Sequence, residues 1–324
     1  MKTKSSFFIA LLIIFSACQS SDNEKKRLTN NLIIPDEEVF QAVSLMGDSL
    51  FTKIDSTSQS NQIKNLQKAE KLYMEDPSLD NLIWIGRREA YLSRYDLAIR
   101  TFTKAINEFP EAFEPLRHRG HRYVSIRKFD DAIKDFENAA NLMEGTEIIV
   151  EQDGVPNKLN IPLSNVQFNV WYHLGLAHYL KGEWEQALQA YQKCMEVSIN
   201  DDLKIATLDW YYMTLQKLGR QEEAKNLLKQ VDSKMKIIEN DAYFKRLLMY
   251  KGELSPEKLL NVDSQSDDQK LQYVTQGYGL GNYYLVKGDS SMAKSIFQNV
   301  INTGYWSAFG YIASEMELAK LKDE

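Results

Sequence analysis

Gly86, Ala98, Phe102 and Ala105 return 34 residues later as Gly120, Ala132, Phe136 and Ala139. The same small–small–aromatic–small set comes back as Gly175, Ala187, Tyr191 and Cys194, and again as Gly281, Ala293 and Phe297. A fixed period of this length is the signature of stacked helix–turn–helix units. A single unit cannot bury its own apolar face, so neighbours must stack, and the stack curves into an extended concave surface. The repeat predicts an all-α solenoid whose job is to hold something.

Composition narrows what can be held. The 324-residue chain carries a formal net charge of −6, and about −8 once residues 1–17 and their two lysines are set aside. Polyanion binding draws on clustered Lys and Arg, so nucleic acid is excluded as the expected partner. The chain has two cysteines, Cys18 and Cys194. Cys194 sits where sister repeats carry Ala105 and Ala139, which predicts a small buried side chain.

The first residues, MKTKSSFFIALLIIFSAC, read as an address. Lys2 and Lys4 form a positive start, Phe7 to Phe15 a short apolar core, and Ser16-Ala17 a cleavage site before Cys18. This order resembles a bacterial lipoprotein signal over 1–17, which implies acyl chains on Cys18. Two or three chains would make membrane attachment nearly permanent. Gln19 rather than Asp after the Cys implies sorting to the outer membrane, facing the periplasm or the surface. Residues 18–34 are polar and predict a flexible tether.

The repeats resemble the tetratricopeptide (TPR) family. That pattern carries Trp or Leu at position 4, Leu-Gly at 7–8, Tyr at 11, Gly at 15, Ala at 20, an aromatic at 24, Ala at 27 and Pro at 32. Trp171, Leu174, Gly175, Gly182, Ala187, Tyr191 and Cys194 match it best. The resemblance implies a right-handed TPR-type helical solenoid with a short hairpin or loop insertion. It divides the chain into N-terminal capping helices over 35–78, units 1–2 over 79–142, an insertion over 143–165, and units 3–4 over 166–234. Degenerate and late units follow over 235–303, and a C-terminal capping helix over 304–324. Pro35 with Asp36, Glu37 and Glu38 reads as a helix start, which places the capping helices near 36–54 and 60–75. Residues 306–321 read as one amphipathic closing helix. The insertion, with Ile148-Ile149-Val150 followed by Asp153-Gly154, reads as a hairpin or ordered loop on one face.

In TPR folds the first helix of each unit lines the concave groove. Carried onto this sequence, that places Arg87, Arg117 and His121 at one end of the groove. Tyr172, Tyr179, Tyr278 and Asn282 fall along its middle and far wall. Guanidinium forks suit carboxylates and tyrosines add area with a polar tip, so the groove predicts a protein or peptide partner. Capture of a small or oligomeric nutrient is the alternative, and an enzyme with an unrecognised site a further one. Arg119 takes a position normally buried, which predicts a structural carboxylate partner or an anion site with the insertion. His118 and His121 are three apart, but neither Cys nor acid has metal-ligand spacing, so no metal and no cofactor is expected. Phosphate loops, HExxH and the nucleophile elbow are missing, so no enzyme is expected.

Overall fold

The computed structural model describes residues 36–154, 156–260 and 266–323. The signal over 1–17, the lipidation expected at Cys18 and the tether over 18–34 lie outside the described residues. Among those residues thirteen α-helices follow a two-stranded antiparallel hairpin. No helix among them is long and apolar enough to cross a membrane.

The start differs from the expected pair of capping helices. Residues 36–54 form the hairpin, β1 (Glu38–Val43) and β2 (Ser49–Lys53), joined across Gly47. The reason is a period of two: Leu50, Thr52 and Ile54 are buried while Ser49, Phe51 and Lys53 face out. Gly47 takes φ 95°, which a side chain would resist and a turn requires. Helix α1 (Ser60–Glu75) comes next, as expected over 60–75.

Three well-formed helix pairs succeed it. They are α2 (Leu79–Tyr91) with α3 (Tyr95–Glu108), α4 (Glu114–Ser125) with α5 (Phe129–Leu142), and α6 (Val166–Lys181) with α7 (Trp184–Glu196). Then come α8 (Asp201–Lys217) with the short α9 (Gln221–Leu227), the lone α10 (Asp241–Lys251), and α11 (Asp267–Val286) with α12 (Ser290–Asn302). Helix α13 (Phe309–Asp323) closes the chain.

The recurrent residues explain the pairing. A Cβ built on Gly86, Gly120 or Gly175 would stand 2.5, 2.8 and 2.7 Å from the rings of Phe102, Phe136 and Tyr191. Each ring packs back on the glycine of its own unit, and Phe102 and Phe136 also stack on His118 and His173 of the next. Position 15 ends every first helix in left-handed backbone: Gly182, Gly219 and Gly288 at φ 81°, 71° and 83°, but also Ser93 at 55° and Arg127 at 62°. A non-glycine there costs roughly 1–2 kcal/mol, so Arg127 must be retained for its side chain.

That side chain holds α13. Arg127 donates to both oxygens of Glu315, at 3.0 and 2.9 Å, and to the Trp306 carbonyl at 2.7 Å. Glu315 also accepts from the Leu45 amide, so α13 reaches the N-terminal hairpin. Phe309 meets the rings of His121 and His173 at 5.2 and 5.5 Å, and Glu317 pairs with Lys217 at 2.6 Å. Helix α13 thus runs along the inner wall from α4 to α8. It is not an amphipathic lid with a wet face: Tyr311 to Leu318 are all buried. One apolar cluster links Phe113 to Leu318 through every pair from α4 onward.

Candidate functional site: an arginine-lined pocket under the insertion

The helix α13 leaves one stretch of inner wall uncovered. There the first helices α2, α4 and α6 face the insertion, and a pocket of about 320 Å³ lies between them. The insertion is an ordered loop rather than a long hairpin. Val150 and Asn165 make a single antiparallel bridge, and Glu151 N donates to Ser164 O at 3.0 Å. Its turn is built on Asn157, whose Oδ1 accepts from the amides of Leu159 and Ile161.

Arginines on the wall tie the loop down. Arg87 donates to the Gln152 carbonyl at 2.7 Å, and Arg88 to the Gly154 carbonyl at 3.1 Å. Arg117 pairs with Glu151 at 3.0 Å, both largely buried. Glu151 also accepts from Asn169 Nδ2 at 2.9 Å. A loop carboxylate therefore rests on residues of two neighbouring units, Arg117 in α4 and Asn169 in α6.

The histidines here are neutral. Arg117 Nη1 lies 2.9 Å from His118 Nδ1. A guanidinium only donates, so that nitrogen accepts and the ring proton sits on Nε2. Burial first, then Arg117, holds His118 well below the usual histidine range. Burial does the same to His121 and His173, whose rings meet at 4.3 Å, tilted by 31°. His118 stacks instead on Phe102, so His118 and His121 do not share a metal-facing side.

Three polar groups of the pocket lining lack hydrogen-bond partners among the described residues: Arg117 Nε, His121 Nδ1 and the Arg122 guanidinium. Arg117 is 92% buried, and its Nε has no hydrogen bond. Arg122 lies over the Tyr95 ring at 5.3 Å, with no hydrogen bond or ion pair. Burial first, with Arg117 and Arg87 adding to it and Tyr95 opposing it, lowers its guanidinium to about 10. The pocket's own acids stand on the opposite side, Asp153 and Glu239 on loops, each raised mainly by burial.

The residues expected along the groove divide into two groups. Arg87, Arg117 and His121 come together at the pocket. Tyr172, Tyr179, Tyr278 and Asn282 do not join them: all four are buried in the filled half. Tyr172 accepts from Trp210 Nε1 at 2.8 Å, and Tyr179 and Tyr278 meet hydroxyl to hydroxyl at 2.6 Å. Asn282 is buried with its Oδ1 unpartnered. Arg119 takes the structural role, a bidentate pair with Asp135 at 2.7 and 2.8 Å. Burial pushes the Cys194 thiol up to about 12, which leaves it protonated and inert. Arg122 and Glu151 join the pocket as well; the RHRGHR stretch is the signal for Arg122, while spacing alone does not single out Glu151.

The third helix pair, α6 with α7, is the unit that the tetratricopeptide repeat model matches, over residues 168–201. The same glycine–ring contact and the same left-handed turn recur in the units on either side. The chain carries tetratricopeptide repeats. It is similar to small glutamine-rich tetratricopeptide repeat-containing protein 2 of Saccharomyces cerevisiae, with 24% identity over 204 residues. That match covers 60% of this chain and 52% of the yeast protein. Neutrophil cytosol factor 2 of Mus musculus is 28% identical over 114 residues, 35% of this chain and 21% of that one. The chain thus spans about half the length of the first relative and a fifth of the second. Among solved structures, a tetratricopeptide repeat protein from Parabacteroides merdae ATCC 43184 shares 13% identity at a TM-score of 0.47, covering 82% of this chain and 94% of that one. YrrB, described as a TPR protein with an unusual peptide-binding site, shares 16% at 0.40, covering 72% and 91%.

Proposed function

We propose that this TPR protein is a scaffold that binds a protein or peptide partner, moored to the outer membrane by acyl chains on Cys18. The observation that carries the binding half is the uncovered wall of α2, α4 and α6, with its unpaired cationic groups. A curved repeat surface is built to hold a partner. In this one the far half holds the chain's own helix, and the near half is left for another chain. Charge-assisted hydrogen bonds contribute roughly 1.5–3 kcal/mol each, so two on a partner's carboxylate give a usable but modest affinity. The mooring half is supported by the sequence of residues 1–18.

Crosslinking in intact cells tests the first half. Arg87→Ala with Arg117→Ala is expected to reduce partner capture at least tenfold in a variant that stays folded, at a melting temperature lowered by the loss of the buried Arg117–Glu151 pair. Unchanged capture would remove the assignment of this wall. For the mooring, Cys18→Ala is expected to abolish incorporation of labelled palmitate, and persistent labelling would refute it. A second reading, capture of a small nutrient, draws on the loop that covers the pocket. It predicts that the purified protein binds free ligand without any macromolecule.

A further inference from the structure

We infer a second interaction surface on this protein, apart from the pocket: the outer edge of the insertion over residues 147–151. It takes an extended strand from a partner chain, aliphatic along its length and basic at its ends.

The main-chain hydrogen bonds of this segment carry the inference. Glu147, Ile149 and Glu151 turn their polar groups toward the start of α6. The Ile149 amide donates to Gln167 Oε1 at 3.0 Å, and the Ile149 carbonyl accepts from the Val166 amide at 2.9 Å. Gln167 Nε2 donates to the Glu147 carbonyl at 2.6 Å, and the Glu151 amide to the Ser164 carbonyl at 3.0 Å. The amides and carbonyls of Ile148 and Val150, which alternate with these, hold no hydrogen bond among the described residues. That alternation is an antiparallel ladder with one side filled and the other open. An open edge is a ready template for another strand.

The side chains agree. Along an extended segment they alternate between faces, so Ile149 lies on one face and Ile148 and Val150 on the other. All three are exposed. A strand in a folded protein ordinarily buries at least one face, and here both aliphatic faces stand open. The usual guards of an edge, Lys and Pro, are missing from residues 147–151. The edge stops at Gln152, whose carbonyl Arg87 takes, so it accepts a short strand. The wall below touches this segment through Glu151 and Gln152, not through Ile148 and Val150.

Charge selects the occupant. Over residues 143–165 the acids Glu144, Glu147, Glu151 and Asp153 outnumber the single base Lys158. Glu144 and Glu147, at the start of the edge, are exposed and hold no ion pair among the described residues. A second copy of this chain fits badly. Antiparallel pairing centred on Ile149 sets Glu147 of each copy opposite Glu151 of the other, and like charges across a ladder repel. A partner strand with Lys or Arg at its ends has the complementary charge.

The test is fluorescence anisotropy on the full chain with two labelled peptides. One is acetyl-Lys-Val-Thr-Val-Thr-Val-Lys-amide, and the other has Glu in place of both Lys. Saturable binding is expected, at least fivefold tighter for the basic peptide. Val150→Pro removes a donor the fold does not use, at an edge where Pro is tolerated. It is expected to weaken binding at least tenfold while melting within a few degrees of the parent. Ile148→Lys puts a like charge on the edge and is expected to weaken binding at least fivefold. Amide hydrogen exchange reads the pairing itself. In the free chain Ile148 and Val150 exchange fast and Ile149 and Glu151 slowly, and the basic peptide is expected to slow the first two at least tenfold. No saturable binding, either variant within twofold of the parent, or unchanged exchange at Ile148 and Val150 on saturation overturns the proposal. An acidic peptide that binds as tightly as the basic one overturns the choice of occupant. Slow exchange at both amides without peptide, in a dimer that Val150→Pro splits, gives the edge to a second copy and overturns the partner strand.

Discussion

The two halves of one inner wall are finished differently. Where α13 lies on the wall, from the end of α4 onward, the charges that meet it are matched. Arg127 has both oxygens of Glu315, and Lys217 has Glu317. Where the wall of α2, α4 and α6 meets the insertion instead, Arg122 stands over the Tyr95 ring with no acidic partner. The comparison separates two uses of similar residues. A cation in the covered half holds the fold. A cation left waiting in the open half costs the fold something and is kept for a ligand.

The largest expected effect is in the covered half. Glu315→Ala would strand the Arg127 guanidinium, which is 3% exposed. Losing one partner of a buried pair costs about 3–5 kcal/mol. A sharp fall in melting temperature is expected, with loosening of the N-terminal hairpin, and a fall of under a degree would break the contrast. Next comes Glu89, on α2 but turned away from the pocket. Burial pushes its carboxyl up to about 8, against a donated hydrogen bond from Thr101 Oγ1 at 2.7 Å. The folded state keeps this proton from about pH 4.5 to 8 while the unfolded chain gives it up. Stability from this group therefore falls as pH rises through that window. Glu89→Gln is expected to match the parent near pH 5 and exceed it by roughly 3 kcal/mol at pH 8. Parallel melting curves across that range would show that Glu89 is not held neutral. The smallest effect belongs to Arg122→Met, whose unliganded stability is expected within about 0.5 kcal/mol of the parent or slightly above it.

The repeat was legible because its key contacts are local. Gly86 and Phe102, or Gly175 and Tyr191, lie 16 residues apart in one unit, so each copy repeats the whole constraint. The hairpin was not legible as such. Pro35 and three acids look like a helix start, and the period of two in Leu50, Thr52 and Ile54 is short. Helix α13 misled for a different reason. Glu315 and Glu317 read as a wet face, yet both are buried against cations nearly a hundred or more residues away in sequence. A buried acid and a solvated one look alike until the partner is placed. The site shows the same boundary. Arg87, Arg117 and His121 follow from their places on the first helices. Tyr179 and Tyr278 hold the same kind of place and are sealed by α13, which no repeat position announces.

One experiment sets the two halves directly against each other. A photoreactive phenylalanine analogue is placed at Tyr91, which lines the open pocket, or at Leu285, near the end of α11, and irradiated in intact cells. A partner adduct is expected from position 91, lost when Arg87→Ala and Arg117→Ala are added, with none from position 285. An adduct from position 285, or one from position 91 that ignores the two arginines, would contradict the division of the wall into a filled half and a binding half.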